Sequence, residues 1–375
     1  MKYLFILGRN VELSIAEVVS YFEKENNSVK KYLKRKNSIL IELDKAIEKK
    51  TINDFGGVIA IGEILSFGKL GKIVDELDKK MIYCGTKKNI NYVLWDFCEE
   101  EAKDEIEIYL KERFREEKLR ATQKPLSGSI SMQSGEKARK LSSNLIDEEL
   151  FLFNEDSSSE FYFGKIVFKC DYSELEKRDM NKPVRREKLA ISPRIAKILI
   201  NLSQVKKGET LVDPFCGIGT ILIESLIQGI NVIGIDLDKD AVKGARQNLE
   251  WFKFQRKNYQ VINMDSSKVK IPHANVIATE PDLGETFRKI PTEKKAREVL
   301  DRFESLIISV INNLKKNISG KIVFTSPFIQ VMGKRIGCDI ERILKSTKMK
   351  LESGFPIDDY REGQVVGRRV FVLEK

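Results

Sequence analysis

Residues 211 to 238, LVDPFCGIGTILIESLIQGINVIGIDLD, limit what this chain can fold into more than any other stretch. Thr210-Leu211-Val212 is a short apolar run with turn residues behind it, the pattern of a buried parallel strand. Asp213-Pro214-Phe215-Cys216-Gly217-Ile218-Gly219-Thr220 then forms a tight glycine-containing loop. Ile221 to Ile227 reads as a short apolar helix that Gly229 stops. Val232 to Ile235 is a second strand, ending at Asp236. Strand, glycine loop, helix, strand and acid is the order of a nucleotide-binding half-unit. Gly217 and Gly219 let backbone approach a ligand at an exposed helix N-terminus. Asp236 stands 23 residues after Asp213, near the spacing of about 20 at which a second-strand acid takes ribose hydroxyls.

The wording of the loop narrows the ligand. A dinucleotide fingerprint requires a third glycine at position 222, which is Leu, and the Gly-Lys-Ser/Thr of a Walker loop is absent. An acid opening the loop repels pyrophosphate and suits a cationic ligand without phosphate. D-P-F-C-G-x-G-T resembles motif I of class I S-adenosylmethionine (SAM) methyltransferases. An ordinary α/β turn is the plainer alternative, but loop, acid and context agree against it.

The bounds fit a multi-domain soluble protein. With 375 residues the chain is long enough for two or three domains. No apolar run approaches the length of a membrane span, and the N-terminal MKYLFILG is too short for a signal peptide. The expectation is a cytoplasmic protein with no membrane association. Cys84, Cys98, Cys170, Cys216 and Cys338 include no C-x-x-C pair and read as reduced thiols. His273 is the only histidine, so a multi-histidine metal site is excluded, and no metal is expected. Lys and Arg number 66 against 56 acids, a net +10, a balance that suits a polyanionic partner.

In chain order, strands are expected at 2–7, 38–43, 57–65, 91–97 and 161–168, with helices at 15–24, 73–80 and 102–118. This is a small-unit α+β pattern. Lys111, Arg113, Arg115, Lys118, Arg120, Lys124, Lys137, Arg139 and Lys140 make a basic stretch, interrupted by a flexible loop from Ser127 to Gly135. A solvated helix face is the bland reading, since Glu112, Glu116 and Glu117 offset part of the charge. The other reading is RNA contact. The acidic run from Asn154 to Glu160 is a turn expected to face away from RNA.

Residues 171 to 194, DYSELEKRDMNKPVRREKLAISPR, join the halves. A Y-x-x-L-x-x-R-D-x-x-x-P-x-R segment, an Ala-x-Ser-Pro helix start and then D-P-F-C-G-x-G-T resemble the archaeal and eukaryotic tRNA guanosine-10 N2-methyltransferase family. The segments at 3–10, 245–251 and 366–372 are similar to it too. The resemblance implies a ferredoxin-like plus THUMP RNA-binding module over 1–170, a linker at 171–190, and a Rossmann-like seven-stranded class I methyltransferase domain over 191–375. It implies SAM as cofactor, with Ser192 and Pro193 at the methionine end. Asp213, Pro214, Phe215, Cys216, Gly217, Gly219 and Thr220 form the loop. Asp236 and Leu237 follow the second strand, Asp265 lies beside the adenine amino group with Ser266 next to it, and Glu280 closes the site. It implies tRNA as partner, with Lys111, Arg115, Lys118, Arg120, Lys124, Arg139, Lys140, Arg185, Arg186 and Lys188 along the RNA path.

Seven strands are expected in the second half: 210–212, 232–235, 259–265, 275–279, 321–325, 349–355 and 368–374, the last antiparallel. The fourth ends in Thr279-Glu280-Pro281-Asp282-Leu283-Gly284, where the chain departs from its family. Enzymes that methylate exocyclic amines usually carry Asp/Asn-Pro-Pro-Tyr/Phe there. The guanine amine is a poor nucleophile because its lone pair is delocalised. A side-chain oxygen and a backbone carbonyl accept its two hydrogens while an aromatic ring stacks on the flipped base. Here Glu280 is expected as the principal acceptor; Asp282 replaces the second proline and either displaces the carbonyl or acts as a secondary acceptor itself. Leu283 offers no π face, a loss worth roughly 1–3 kcal/mol of stacking unless Phe287 substitutes. Three readings stay open: guanine-N2 methylation with a variant motif, methylation of another RNA base or position, or a catalytically weak RNA- and SAM-binding subunit. The last brings in a small activating protein subunit. No cysteine follows Pro281, which argues against pyrimidine C5 chemistry.

Overall fold

A computed structural model describes residues 1–125, 146–155, 158–186, 191–284, 287 and 289–375. Its residues group into two compact units. One comprises Met1–Ile15, Asn27–Asn53 and Gly57–Cys170; the other comprises Ala16–Asn26, Asp54–Gly56 and Asp171–Lys375.

The elements of the N-terminal half are β1 (Lys2–Leu7), α1 (Val11–Lys24), β2 (Tyr32–Arg35), β3 (Ser38–Glu42), β4 (Val58–Gly68), α2 (Leu70–Leu77), β5 (Asn89–Phe97), α3 (Glu100–Glu116), β6 (Arg120–Gln123), β7 (Glu148–Asn154) and β8 (Phe161–Lys169). The strands form one eight-stranded sheet in the order β2-β3-β1-β4-β8-β7-β5-β6. Pairing is antiparallel except around β5, which runs parallel to both β6 and β7. Helix α3 forms because Ala102, Ile106, Leu110 and Phe114 recur every four residues and make one buried stripe. That stripe packs with Ile73 and Leu77 of α2 against Tyr92, Leu94 and Leu152 of the sheet. Strand β7 escaped the sequence reading because it opens on two acids and its apolar run covers only Leu150 to Phe153, although it is largely buried and paired on both sides, with β5 and β8. Strands β2 and β6, four residues each, were missed as well.

The second half begins with α4 (Tyr172–Asn181), a helix where a linker was expected, and α5 (Pro193–Leu202). Then come β9 (Thr210–Asp213), α6 (Thr220–Ile227), β10 (Asn231–Asp236), α7 (Lys239–Trp251), β11 (Tyr259–Asn263), β12 (Val276–Thr279), α8 (Glu293–Leu314), β13 (Ile322–Val331), β14 (Lys334–Ile336), α9 (Ile340–Thr347), β15 (Lys350–Leu351), β16 (Ile357–Asp359) and β17 (Val366–Glu374). The sheet order is β11-β10-β9-β12-β13-β17-β15. Pairing is parallel from β11 through β13, and β17 inserts antiparallel beside β13 as the family resemblance implies. The sheet has nine strands rather than seven, because β14 and β16 add short pairings to β13 and β17. Strand order reverses between β9 and β12, so the crevice outside their carboxyl ends is where a ligand binds in such a sheet.

Residues 16–26 and 54–56 lie inside the N-terminal half of the sequence but group with this second unit. Their attachment is polar and buried. Oε1 of Glu17 accepts from the Gly56 N–H at 2.7 Å and from Asn201 Nδ2 at 2.9 Å. Asn201 Oδ1 accepts from Lys24 Nζ at 3.1 Å. Glu17 and Asn201 are both fully buried, so each bond replaces water that neither can reach.

Candidate cofactor and acceptor site

The loop between β9 and α6 is held in shape by main-chain geometry. Gly217 has φ +50° and Gly219 φ +88°, and Gly219 caps α6 from the left-handed region that side chains avoid. The Gly217 N–H donates to Asp236 Oδ2 at 2.8 Å, and the Asp238 N–H donates to Oδ1 at 2.9 Å. Asp236 is thus oriented by two backbone donors at the end of β10. Leu237, next in chain, is 75% exposed and presents an apolar face beside it.

Asp213 ends β9 with 1% exposure. It accepts from Thr279 Oγ1 at 2.6 Å and from the Phe215 N–H at 3.2 Å. Burial pushes its carboxyl up to about 7; those two donors oppose the rise, and the negative charges of Asp236 and Glu280 add to it. Three carboxylates at the carboxyl ends of β10, β9 and β12 therefore share one region. Among the described residues no His, Cys, Asp and Glu group is arranged to hold a metal ion.

Several expected cofactor residues also hold the local chain in shape. Ser192 caps α5 by accepting from the Ile195 N–H at 3.3 Å, and Pro193 follows at the first helical position. Ser266 is buried and donates to the Pro214 carbonyl at 2.5 Å, tying the loop after β11 to the glycine loop. Asp265 Oδ1 accepts from the Ser267 N–H at 2.9 Å and hydroxyl at 2.7 Å. Those bonds, with Lys268 nearby, hold its carboxyl below the usual range. Cys216 is buried under the loop, where burial first, then the charges of Asp213 and Asp236, raise its thiol. Phe215 packs against the main core of the sheet. Thr220, also buried, accepts from Lys182 Nζ at 3.5 Å.

Glu280 follows β12, and its carboxylate is not free. Arg368 of β17 grips it with both arms, Nε to Oε2 at 2.6 Å and Nη2 to Oε1 at 3.0 Å. Thr325 of β13 adds a hydroxyl to Oε2 at 3.1 Å. After Pro281, Asp282 is exposed and its Oδ1 closes a turn on the Gly284 N–H at 3.0 Å. Leu283 is half-buried. Phe287 packs against the core, so it is partly spent on burial.

Two sets of residues had been quoted as pattern without a role. Asn248, fully buried on α7, donates to the carbonyls of Ile218 at 2.9 Å and Val184 at 3.1 Å and accepts from the Val184 N–H at 2.9 Å. It clamps the 184 segment to the glycine loop. Glu224 of α6, 2% exposed, lies 3.8 Å from both Lys197 and Arg178. The R-D segment of the connecting stretch thus pairs charge beneath the loop. A buried Asn within an otherwise apolar helix face was the legible signal.

Of the expected RNA residues, Lys111, Arg115, Lys118 and Arg120 are exposed and Lys124 half-buried. Lys111 and Lys124 line a cavity of about 740 Å³ with Tyr92, Lys103 and Gln123. Arg185 is exposed, and Arg186 pairs with Asp238 at 2.7 Å. Arg139, Lys140 and Lys188 lie outside the described residues.

Residues 182–309 match the UPF0020 family, described as an RMKL-like methyltransferase domain. The chain is similar to the tRNA (guanine(10)-N2)-dimethyltransferase of Methanothermobacter thermautotrophicus, 36% identical over 31% of this chain and 35% of that protein's length. It is also similar to a probable tRNA (guanine(10)-N2)-dimethyltransferase of Methanothermococcus thermolithotrophicus, 30% identical over 40% of this chain and 85% of the relative. The crystal structure of TrmN from Thermus thermophilus shares the fold across the full length of both chains, with TM-score 0.55 and 14% identity. The chain belongs to the family of tRNA (guanine(10)-N2)-methyltransferases.

Proposed function

We propose that the chain methylates the exocyclic N2 amine of a guanosine in tRNA, with SAM as cofactor. The observation that carries this reading is the convergence of Asp213, Asp236 and Glu280 at the switch point of the sheet, beside two glycines with positive φ. Burial raises Asp213, the charges of Asp236 and Glu280 add to the rise, and a cation beside it favours its ionised form. A ligand with a sulfonium and an ammonium but no phosphate fits that charge; a dinucleotide does not.

SAM supplies an electrophilic methyl group when bound. Asp236, already oriented by two backbone donors, takes the ribose hydroxyls. Leu237 would give the adenine an apolar face, Asp265 would meet its amino group, and Asp213 would balance the cationic end. Glu280 accepts one hydrogen of the guanine amine and so directs its lone pair. Backbone at Pro281 takes the other, and the gain comes from position rather than from base strength.

The residues before 171 act as the RNA-binding module of ferredoxin-like and THUMP type, with Lys111, Arg115, Lys118, Arg120 and Lys124 on the backbone path together with Arg185 and Arg186. Arg139, Lys140 and Lys188 extend that path. A small activating protein subunit and a cytoplasmic location belong to the same proposal. Among the described residues no helix is long and apolar enough to cross a membrane.

A second reading, methylation of another base or position, is favoured by one observation. Leu283 lacks a π face and Phe287 is engaged by the core, so guanine loses its stacking partner. Calorimetry separates the cofactor from its rivals: SAM should bind, while NAD and ATP should not. Transfer of a labelled methyl group from SAM to tRNA then tests the substrate class, and labelling of ribosomal RNA instead would favour the second reading.

A further inference from the structure

We propose that Arg368 is the positioning residue of the methyl-transfer site, fixing Glu280 so that it offers one acceptor position to the substrate amine. The inference rests on the guanine-amine reading given above. Glu280, Thr325 and Arg368 come from three neighbouring strands. Strand β12 pairs parallel with β13, and β13 pairs antiparallel with β17. Thr325 and Arg368 project on one face because Thr325 pairs with Val370, two residues from Arg368 along β17.

An ionised carboxylate has about four lone-pair sites. On Oε2 both are taken, by Arg368 Nε at 2.6 Å and Thr325 Oγ1 at 3.1 Å. On Oε1 one is taken, by Arg368 Nη2 at 3.0 Å. One site on Oε1 is left among the described residues. An amine with two hydrogens needs its acceptors on two different groups, so a carboxylate with one site open leaves the second hydrogen to backbone. The terminal torsion of a Glu side chain is otherwise broad, and the guanidinium fork removes that freedom. The extra methylene that Glu carries relative to Asp is what reaches β17. With a side-chain exposure of 10%, Glu280 does not trade Arg368 for water.

The structural alternative is that the pair only ties β12 to β17. Full-length chain, saturating SAM and tRNA under single-turnover conditions separate the two. Arg368→Ala should lower the transfer rate by about 10²–10³-fold, the range seen when one preorganised polar contact is lost, with SAM affinity within about twofold of wild type. Arg368→Lys keeps the charge without the fork and should stay at least about tenfold slow. The swap Glu280→Arg with Arg368→Glu re-forms the pair and should recover the melting temperature but not the rate. A swapped chain that regains both, or an Arg368→Ala chain within about threefold of the wild-type rate, overturns the proposal and leaves a strand tie. If the wild type itself leaves guanine N2 in tRNA unmethylated, the functional reading falls and takes this one with it.

Discussion

Asp236 and Glu280 are both carboxylates at carboxyl ends of strands in one sheet, yet they are held in opposite ways. Asp236 is gripped by main-chain N–H groups of Gly217 and Asp238, 19 and 2 residues away in sequence. Glu280 is gripped by side chains of Thr325 and Arg368, 45 and 88 residues away. Backbone donors exist whatever residue stands there, so the first grip needs only two glycines that allow the turn. The second grip vanishes with one substitution on another strand. On the proposed reading the cofactor side is therefore robust and the acceptor side adjustable.

The difference can be broken most sharply at Glu280. Glu280→Ala should lower single-turnover methyl transfer by about 10²–10³-fold while tRNA affinity holds, because the contact matters mostly in the transition state. Asp282→Ala should cost less than about tenfold, its carboxylate being engaged in a local turn. A dead Asp282→Ala beside an active Glu280→Ala would move the acceptor to Asp282. On the robust side, Asp236→Ala removes the ribose contacts and should weaken SAM by about five- to a hundredfold, equivalent to about 1–3 kcal/mol. Calorimetry showing unchanged affinity in that variant contradicts the assignment.

The pH dependence joins the two sides through Asp213. Its carboxyl sits at about 7 in the ligand-free chain, chiefly through burial, and a cation binds its ionised form. SAM affinity should therefore fall as pH drops below about 7, approaching tenfold per unit, and level off above it. Asp213→Asn should flatten that profile. The stability of the ligand-free chain runs the other way. A carboxyl raised on folding contributes fully below its unfolded value of about 4, and that contribution is lost as pH rises through about 7. The smallest effect is expected at the proposed RNA path. Replacing Arg185 and Arg186 by Ala should weaken tRNA binding several-fold and reduce the salt slope by about one to two units, leaving SAM binding intact. The Arg186–Asp238 pair already spends part of that charge, so an unchanged slope would remove 185–186 from the path.

What the sequence made legible follows the same division. The strands from Thr210 to Asp236 and the glycine turn are local patterns, each found where the spacing puts it, whereas the antiparallel last strand was expected only from the family resemblance. Ser192, Ser266 and Thr220 were assigned to the cofactor by resemblance; what local pattern did not give is their bonds within the chain, to the Ile195 N–H, the Pro214 carbonyl and Lys182. Arg368 sat in plain view in Val366-Gly367-Arg368-Arg369, but nothing in one strand says which distant carboxylate it meets. Asn201 was invisible for the same reason, since nothing local says that residue 201 meets the buried carboxylate of Glu17. Strand β7 was missed because its two leading acids hid a short apolar run.

The central claim is that this site methylates a guanine amine in tRNA. Nucleoside mass spectrometry of unmodified tRNA after incubation with full-length chain and methyl-labelled SAM tests it most directly. The predicted result is label in N2-methylguanosine or N2,N2-dimethylguanosine, lost in Glu280→Ala. Label in any other nucleoside, or bound SAM with no labelled nucleoside at all, contradicts it.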